Sequence, residues 1–161
     1  MKVFEHIDKR IAWLQKHLIQ AIENPPLTYK EICKINKVGL YFIYLENTEG
    51  DMEFQYIGQT TRSTKRMREL ATDFRSHSFN RKLLAQRFRE KEIVVHVLSN
   101  TSKKQLLESG ILTLEAFKRD QKSVNDAIRN TYKFKFYEYL HTDILLLEHF
   151  AISILGPLYN D

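Results

Sequence analysis

Val38–Leu45 reads VGLYFIYL, and after the polar turn ENTEGD at 46–51 a second run, MEFQYIGQT, fills 52–60. Both runs are rich in the aromatic and β-branched residues that suit a pleated, half-buried surface, and the turn between them is short. The pair reads as an antiparallel hairpin.

Working outward, residues 3–22 place Phe4, Ile7, Ile11, Leu14, Leu18 and Ala21 at alternating steps of three and four, the stripe of an amphipathic helix that ends before Pro25-Pro26. The stripe has heptad spacing for under three heptads, so it packs either on its own domain or on a second copy. Downstream, 62–75 puts Met67, Leu70, Ala71 and Phe74 on one helical face, and 79–90 forms a second helix with Leu83, Leu84 and Phe88 inward. IVVHVLS at 93–99 reads as a third strand. Ser102 and Gln105 suggest a capping box for a short helix that stops near Gly110. Residues 111–131 read as helical, and YKFKFYEYL at 132–140 is either a strand or an aromatic packing segment. Thr142, followed by Asp143, is the expected N-cap of a last helix running to Leu155 and stopping at Gly156-Pro157.

The chain of 161 residues, 43% apolar, is long enough for one domain with one core. No apolar run is long enough to span a bilayer, and the start MKVFEHIDKR places charges where a signal peptide needs an apolar stretch, so a soluble, intracellular, cytoplasmic protein is expected. Cys33 is the only cysteine, which excludes an intrachain disulfide and a thiolate metal cluster. His6, His17, His77, His96, His141 and His149 show no pair at zinc-helix spacing, and five unclustered glycines form no phosphate loop.

The net charge of +5 is unevenly spread. From Gln59 to Glu92 there are ten basic residues (Arg62, Lys65, Arg66, Arg68, Arg75, Arg81, Lys82, Arg87, Arg89, Lys91) against four acidic ones, so this segment is +6 and the rest −1. Such a field suits a polyanion, because each cation that neutralises a phosphate releases condensed counterions; a solvated helix surface is the other reading. Glu148 lies on the helical face of Ile144, Leu145, Ala151, Ile152 and Leu155. A carboxylate facing a core needs a compensating partner, either a divalent cation or an arginine. Arg66 opens its helix just after the second strand, and a planar guanidinium holds a phosphate through two parallel hydrogen bonds.

Gly39-Leu40-Tyr41 and Tyr56-Ile57-Gly58 stand on the two hairpin strands, Arg66 follows the second glycine by eight residues, and Glu148 precedes Asn160 by twelve with Pro157 and Tyr159 between. In this order and spacing the chain resembles the GIY-YIG nucleases. The resemblance covers roughly 38–99 and 142–160; it treats 1–37 as an N-terminal helical extension and 100–141 as an insertion within a single domain 1–161. It implies an α+β fold, a small antiparallel three-stranded sheet flanked by helices, with a helical insertion before the catalytic C-terminal helix.

The activity implied is divalent-metal-dependent DNA endonuclease chemistry. Tyr41 would be the general base, Tyr56 would orient the attacking water or share its proton network, and Arg66 would stabilise the phosphorane-like charge. Glu148 would hold Mg²⁺ (or Mn²⁺), and Asn160 would fix the site's geometry. Arg62, Lys65, Arg68, Arg75, His77, Arg81 and Lys82 are the candidate DNA contacts. Many family members carry a histidine one helical turn after the arginine; here that position is Leu70, which a water, Lys65 or His77 would have to replace. Expected settings are bacterial or phage-encoded restriction, phage defence or a mobile element, with a homodimer, an additional domain or a specificity partner. The alternatives are a DNA-binding module with a degenerate catalytic site, the nuclease domain of a larger repair or defence protein, and an α+β interaction domain with an accidental motif match.

Overall fold

The computed structural model describes residues 2–61 and 63–160. In chain order the elements are α1 (Lys2–Glu23), α2 (Tyr29–Ile32), β1 (Gly39–Glu46), β2 (Met52–Thr60), α3 (Ser63–Leu70), α4 (Ser78–Glu90), α5 (Asn100–Glu108), α6 (Leu114–Asn130), β3 (Lys133–Glu138) and α7 (Ile144–Leu155). They form two compact units, Met1–Thr64 with Lys133–Asp161, and Lys65–Tyr132.

The first unit holds the sheet, in the order β2-β1-β3, antiparallel throughout. β1 is central, and Leu40 to Tyr44 are all buried. Leu40, Phe42 and Ile57 share a core with Leu14, Leu18 and Ala21 of α1 and with Leu147 and Ala151 of α7. Each fully buried leucine there is worth about 2 kcal/mol of apolar transfer. Only the second half of the α1 stripe is used this way; Phe4, Ile7 and Ile11 are exposed. Polar contacts hold α1 as well. Tyr137 donates its hydroxyl hydrogen to Gln20 Oε1 at 2.8 Å, so its oxygen accepts from His17 Nδ1 at 2.7 Å. Arg10 bonds Asp143 while lying 4.6 Å from the centroid of Trp13. Asp143, not Thr142, occupies the N-cap of α7, and it makes no capping bond because its carboxylate is taken by Arg10 and by the Tyr139 hydroxyl.

The sequence places the third strand at 93–99, and the structure corrects this: β3 is Lys133–Glu138, inside the stretch that the family resemblance treats as insertion. Gly39 shows how closely β3 approaches β1, since a Cβ there would stand 2.1 Å from the Tyr137 carbonyl oxygen. The far side of β3 is closed by Leu27, which exchanges two backbone bonds with Phe134 at 2.7 and 3.0 Å. Residues 93–99 make no strand because Glu92 turns the chain through a left-handed conformation (φ 62°) at the end of α4, and the following residues run along the surface.

In the second unit α4 packs on α6, and Phe74 and Phe88 meet Phe117 at ring-centroid distances of 5.7 and 5.8 Å. Lys91 pairs with the buried carboxylate of Asp120 at 2.5 Å. α3 ends at Leu70 rather than near 75. The capping box of α5 is formed by Ser99 and Ser102, three residues ahead of the expected pair, with Ser102 Oγ accepting from Ser99 N at 2.7 Å. Among the described residues no helix is long and apolar enough to cross a membrane.

Candidate active site

The hairpin register sets Tyr41 opposite Gly58 and Ile43 opposite Tyr56, so Tyr41 and Tyr56 are diagonal neighbours on one face. Their rings stack at a centroid distance of 6.2 Å and an interplanar angle of 24°. Tyr41 is completely buried, whereas Tyr56 is half-buried. The Tyr41 ring lies over Gly58: a Cβ added there would stand 2.3 Å from its Oη and 2.4 Å from its Cζ. Gly58 is therefore required for a close approach and not for an unusual backbone angle.

Asn160 reaches the same strand from the C-terminal end. The tail runs beside β2, with Leu158 N donating to Phe54 O at 3.2 Å and Tyr159 N to Gln55 O at 2.9 Å. Asn160 continues the pattern with its side chain, Oδ1 accepting from Ile57 N and Nδ2 donating to Ile57 O, both at 2.8 Å. The amide so mimics a further strand residue and pins the peptide groups of the residue between Tyr56 and Gly58.

Glu148 comes from α7, which packs on β2 and β1. The sequence puts it on the face of Ile144, Leu145, Ala151, Ile152 and Leu155; Ala151 is buried, Ile144, Ile152 and Leu155 pack against the core, Leu145 is exposed, and Glu148 is half-buried. The helix is apolar nearly all round, and Leu145 and Leu146 are exposed. Among the described residues no group of three or more His, Cys, Asp or Glu is placed to hold a metal ion. Glu148 would be a single protein ligand. That donor set does not fit a closed structural site, but it does fit Mg²⁺, which takes one or two carboxylates together with waters and substrate phosphate oxygens.

Arg66, Lys65, Arg68, Arg75, His77, Arg81 and Lys82 belong to the second unit; Arg62 lies outside the described residues. Lys65 and Arg68 are exposed, and Arg66, Arg81 and Lys82 are half-buried. Arg66 and Lys65 stand 3.7 and 3.8 Å from the carboxylate of Glu69. Arg75 is committed to Asp73 through two hydrogen bonds of 2.8 and 3.2 Å.

His77 is buried, and its Nδ1 accepts the Phe79 N–H at 3.0 Å as the N-cap of α4. Burial, followed by the positive charges of Arg66 and Arg81, lowers its pKa to about 3, so at neutral pH the ring is uncharged with its proton on Nε2. Leu70, where many family members carry histidine, is a fully buried core residue.

The supports of this basic surface were not read from the sequence. Asn80 Nδ2 donates to Leu70 O at 2.7 Å, Asn125 Nδ2 to Thr72 O at 3.0 Å and Arg129 Nη2 to Ala71 O at 2.8 Å, while Gln121 accepts from Phe74 N at 3.0 Å. Four side chains thus satisfy the backbone where α3 ends, and fix the turn between the two basic helices. A fully buried Asn80 on an otherwise apolar face was the available signal. Comparison with family models, with curated proteins and with solved structures returns no match to this chain.

Proposed function

We propose that this chain is a divalent-metal-dependent DNA endonuclease of the GIY-YIG type that hydrolyses phosphodiester bonds. The observation that carries the reading is the meeting of motif residues on β2: Tyr41 seated on Gly58 and stacked with Tyr56, and Asn160 bound to both peptide groups of Ile57. Tyr41 and Tyr56 meet through the hairpin itself, and Asn160 joins that strand from 103 positions away in the sequence.

In this reading Tyr41 takes the proton of the attacking water. A phenol with an ordinary pKa of ~10 is a poor base at neutral pH, so the base works only where positive charge favours the phenolate. Half-buried Tyr56 is the partner through which that proton reaches solvent. Arg66 supplies the guanidinium that meets charge growing on the phosphorane-like transition state. Glu148 is the residue that would hold Mg²⁺ or Mn²⁺, whose chemistry when bound is charge stabilisation at the scissile phosphate and the departing 3′ oxygen. Asn160 holds β2 in register beneath the tyrosines. Lys65, Arg68, Arg81 and Lys82 bind the DNA backbone, and the setting is restriction, phage defence or a mobile element in a bacterial cytoplasm.

A second reading, a DNA-binding module that has lost efficient chemistry, is favoured by the complete burial of Tyr41 and by Leu70 in the core. Cleavage and binding assays on Tyr41→Phe and Glu148→Ala separate the two. The nuclease reading expects both variants to lose cleavage while retaining salt-dependent DNA binding. A wild-type protein that binds DNA but leaves it uncut in Mg²⁺ establishes the second reading instead.

A further inference from the structure

Ile93–Val97 is the one strand-like run of the sequence that no strand partners among the described residues. Glu92 releases it from α4, it carries no regular structure through Val95, and it bends at His96 and Val97. The N–H groups of Val94, Val95, His96 and Val97 donate to no described residue, and of their carbonyls only that of Val97 accepts, from Ser102 Oγ at 3.1 Å. Val94 and Val97 are 74% and 70% exposed, and Ile111 beside them is 60% exposed. Together with α5 the run borders a cavity of about 500 Å³ lined also by Gln105, Leu106 and Ser109. β-branched side chains next to unmet backbone donors and acceptors are the makings of an edge to which another strand adds.

The lining identifies the occupant. It includes no lysine, arginine, aspartate or glutamate, in a unit otherwise crowded with cations, so a polyanion has nothing to bind there. What fits is an extended, uncharged, apolar segment that brings its own unpaired peptide groups. The chain itself presents such a segment in IVVHV at 93–97. We propose that this run is a self-association edge: two copies of the chain pair Ile93–Val97 antiparallel about a two-fold axis, each bringing its exposed Val94 and Val97 into the interface. An antiparallel pairing is isologous, so one patch serves both copies and the assembly closes at two. The bend at His96 keeps the pairing short and the interface below ~1,200 Å², which makes the dimer concentration-dependent. The proposal holds whether or not the chain cuts DNA.

Sedimentation velocity on the full chain from about 1 μM to about 1 mM, the range in which a small interface assembles, tests it. The mass should rise from one chain to two, and amide exchange at Val94–Val97 should slow in step. Val94→Lys/Val97→Lys, at exposed positions and checked by far-UV circular dichroism, should weaken association by about tenfold or more, because a lysine would have to be desolvated in an apolar cavity. Ile7→Lys, on the other exposed apolar stripe, should leave the dimer intact. A wild type that stays monomeric overturns the proposal. So does a dimer that survives the double valine substitution, one that is lost on Ile7→Lys, or one that leaves amide exchange at Val94–Val97 unchanged.

Discussion

Gly58→Ala tests whether the Tyr41 ring is seated as described. A Cβ at this position would stand 2.3 Å from Tyr41 Oη, 2.4 Å from Cζ and 2.8 Å from Cε1. Non-bonded carbons rest at about 3.5–4 Å, so the ring or the strand must give way by roughly 1 Å. The strand is pinned at Ile57 by both atoms of the Asn160 amide, and the ring is fully buried with Tyr56 stacked beside it. Overpacking of this kind costs about 1–3 kcal/mol of stability. A shift of about 1 Å in a reacting hydroxyl also costs on the order of a hundredfold in rate. The measurement is a double-mutant cycle by urea denaturation on wild type, Gly58→Ala, Tyr41→Ala and the double variant, with cleavage measured on Gly58→Ala. The three nearest contacts of the added methyl all belong to the Tyr41 ring, so alanine at 58 should be nearly neutral in the Tyr41→Ala background and the coupling should equal most of the ~1–3 kcal/mol. If alanine at 58 costs as much without the ring as with it, something other than Tyr41 excludes the Cβ.

Asn160→Ala removes the partners of both Ile57 peptide groups and should cost about 1–3 kcal/mol; Asn160→Asp keeps an acceptor but sets a carboxylate oxygen against Ile57 O, and should be no better, as urea midpoints will report. Glu92→Gly should stabilise the protein by about 1 kcal/mol, because a left-handed residue other than glycine is strained, and an unchanged or lowered midpoint would contradict this. His77 titrates at about 3 when folded against 6.5 in its ordinary state, so between these values the unfolded chain binds more protons. Its contribution is therefore present above pH 6.5 and lost as pH falls toward 3, at up to ~1.4 kcal/mol per pH unit. His77→Asn keeps a capping acceptor and does not titrate, so between pH 7 and 5 it should lose about 2 kcal/mol less than wild type, and equal losses would contradict the assignment.

The hairpin was legible because two β-rich runs flank a polar turn, and both strands lie where they were read. The third strand was not. IVVHVLS has the stronger local preference, but a strand needs a partner edge, and that edge on β1 is taken by KFKFYE, whose alternating phenylalanines at 134 and 136 enter the core. The α5 cap was misplaced because a serine stands at the third helical position where a glutamate or glutamine is usual. The hairpin reading set Tyr41 and Tyr56 on neighbouring strands, where their rings stack. Motif spacing could not show that Asn160 acts through the backbone of Ile57, nor that Tyr41 is sealed from solvent. His77 gave no local sign of being a buried cap, since a histidine among arginines reads as surface.

Relaxation of supercoiled plasmid in chelator-treated buffer tests metal-dependent cleavage of DNA. With added Mg²⁺ the wild-type chain should produce nicked circles, and it should produce none in chelator alone or when Glu148 is replaced by alanine. Plasmid that stays supercoiled with wild type and Mg²⁺, or that is nicked equally by Glu148→Ala, would contradict a metal-dependent nuclease.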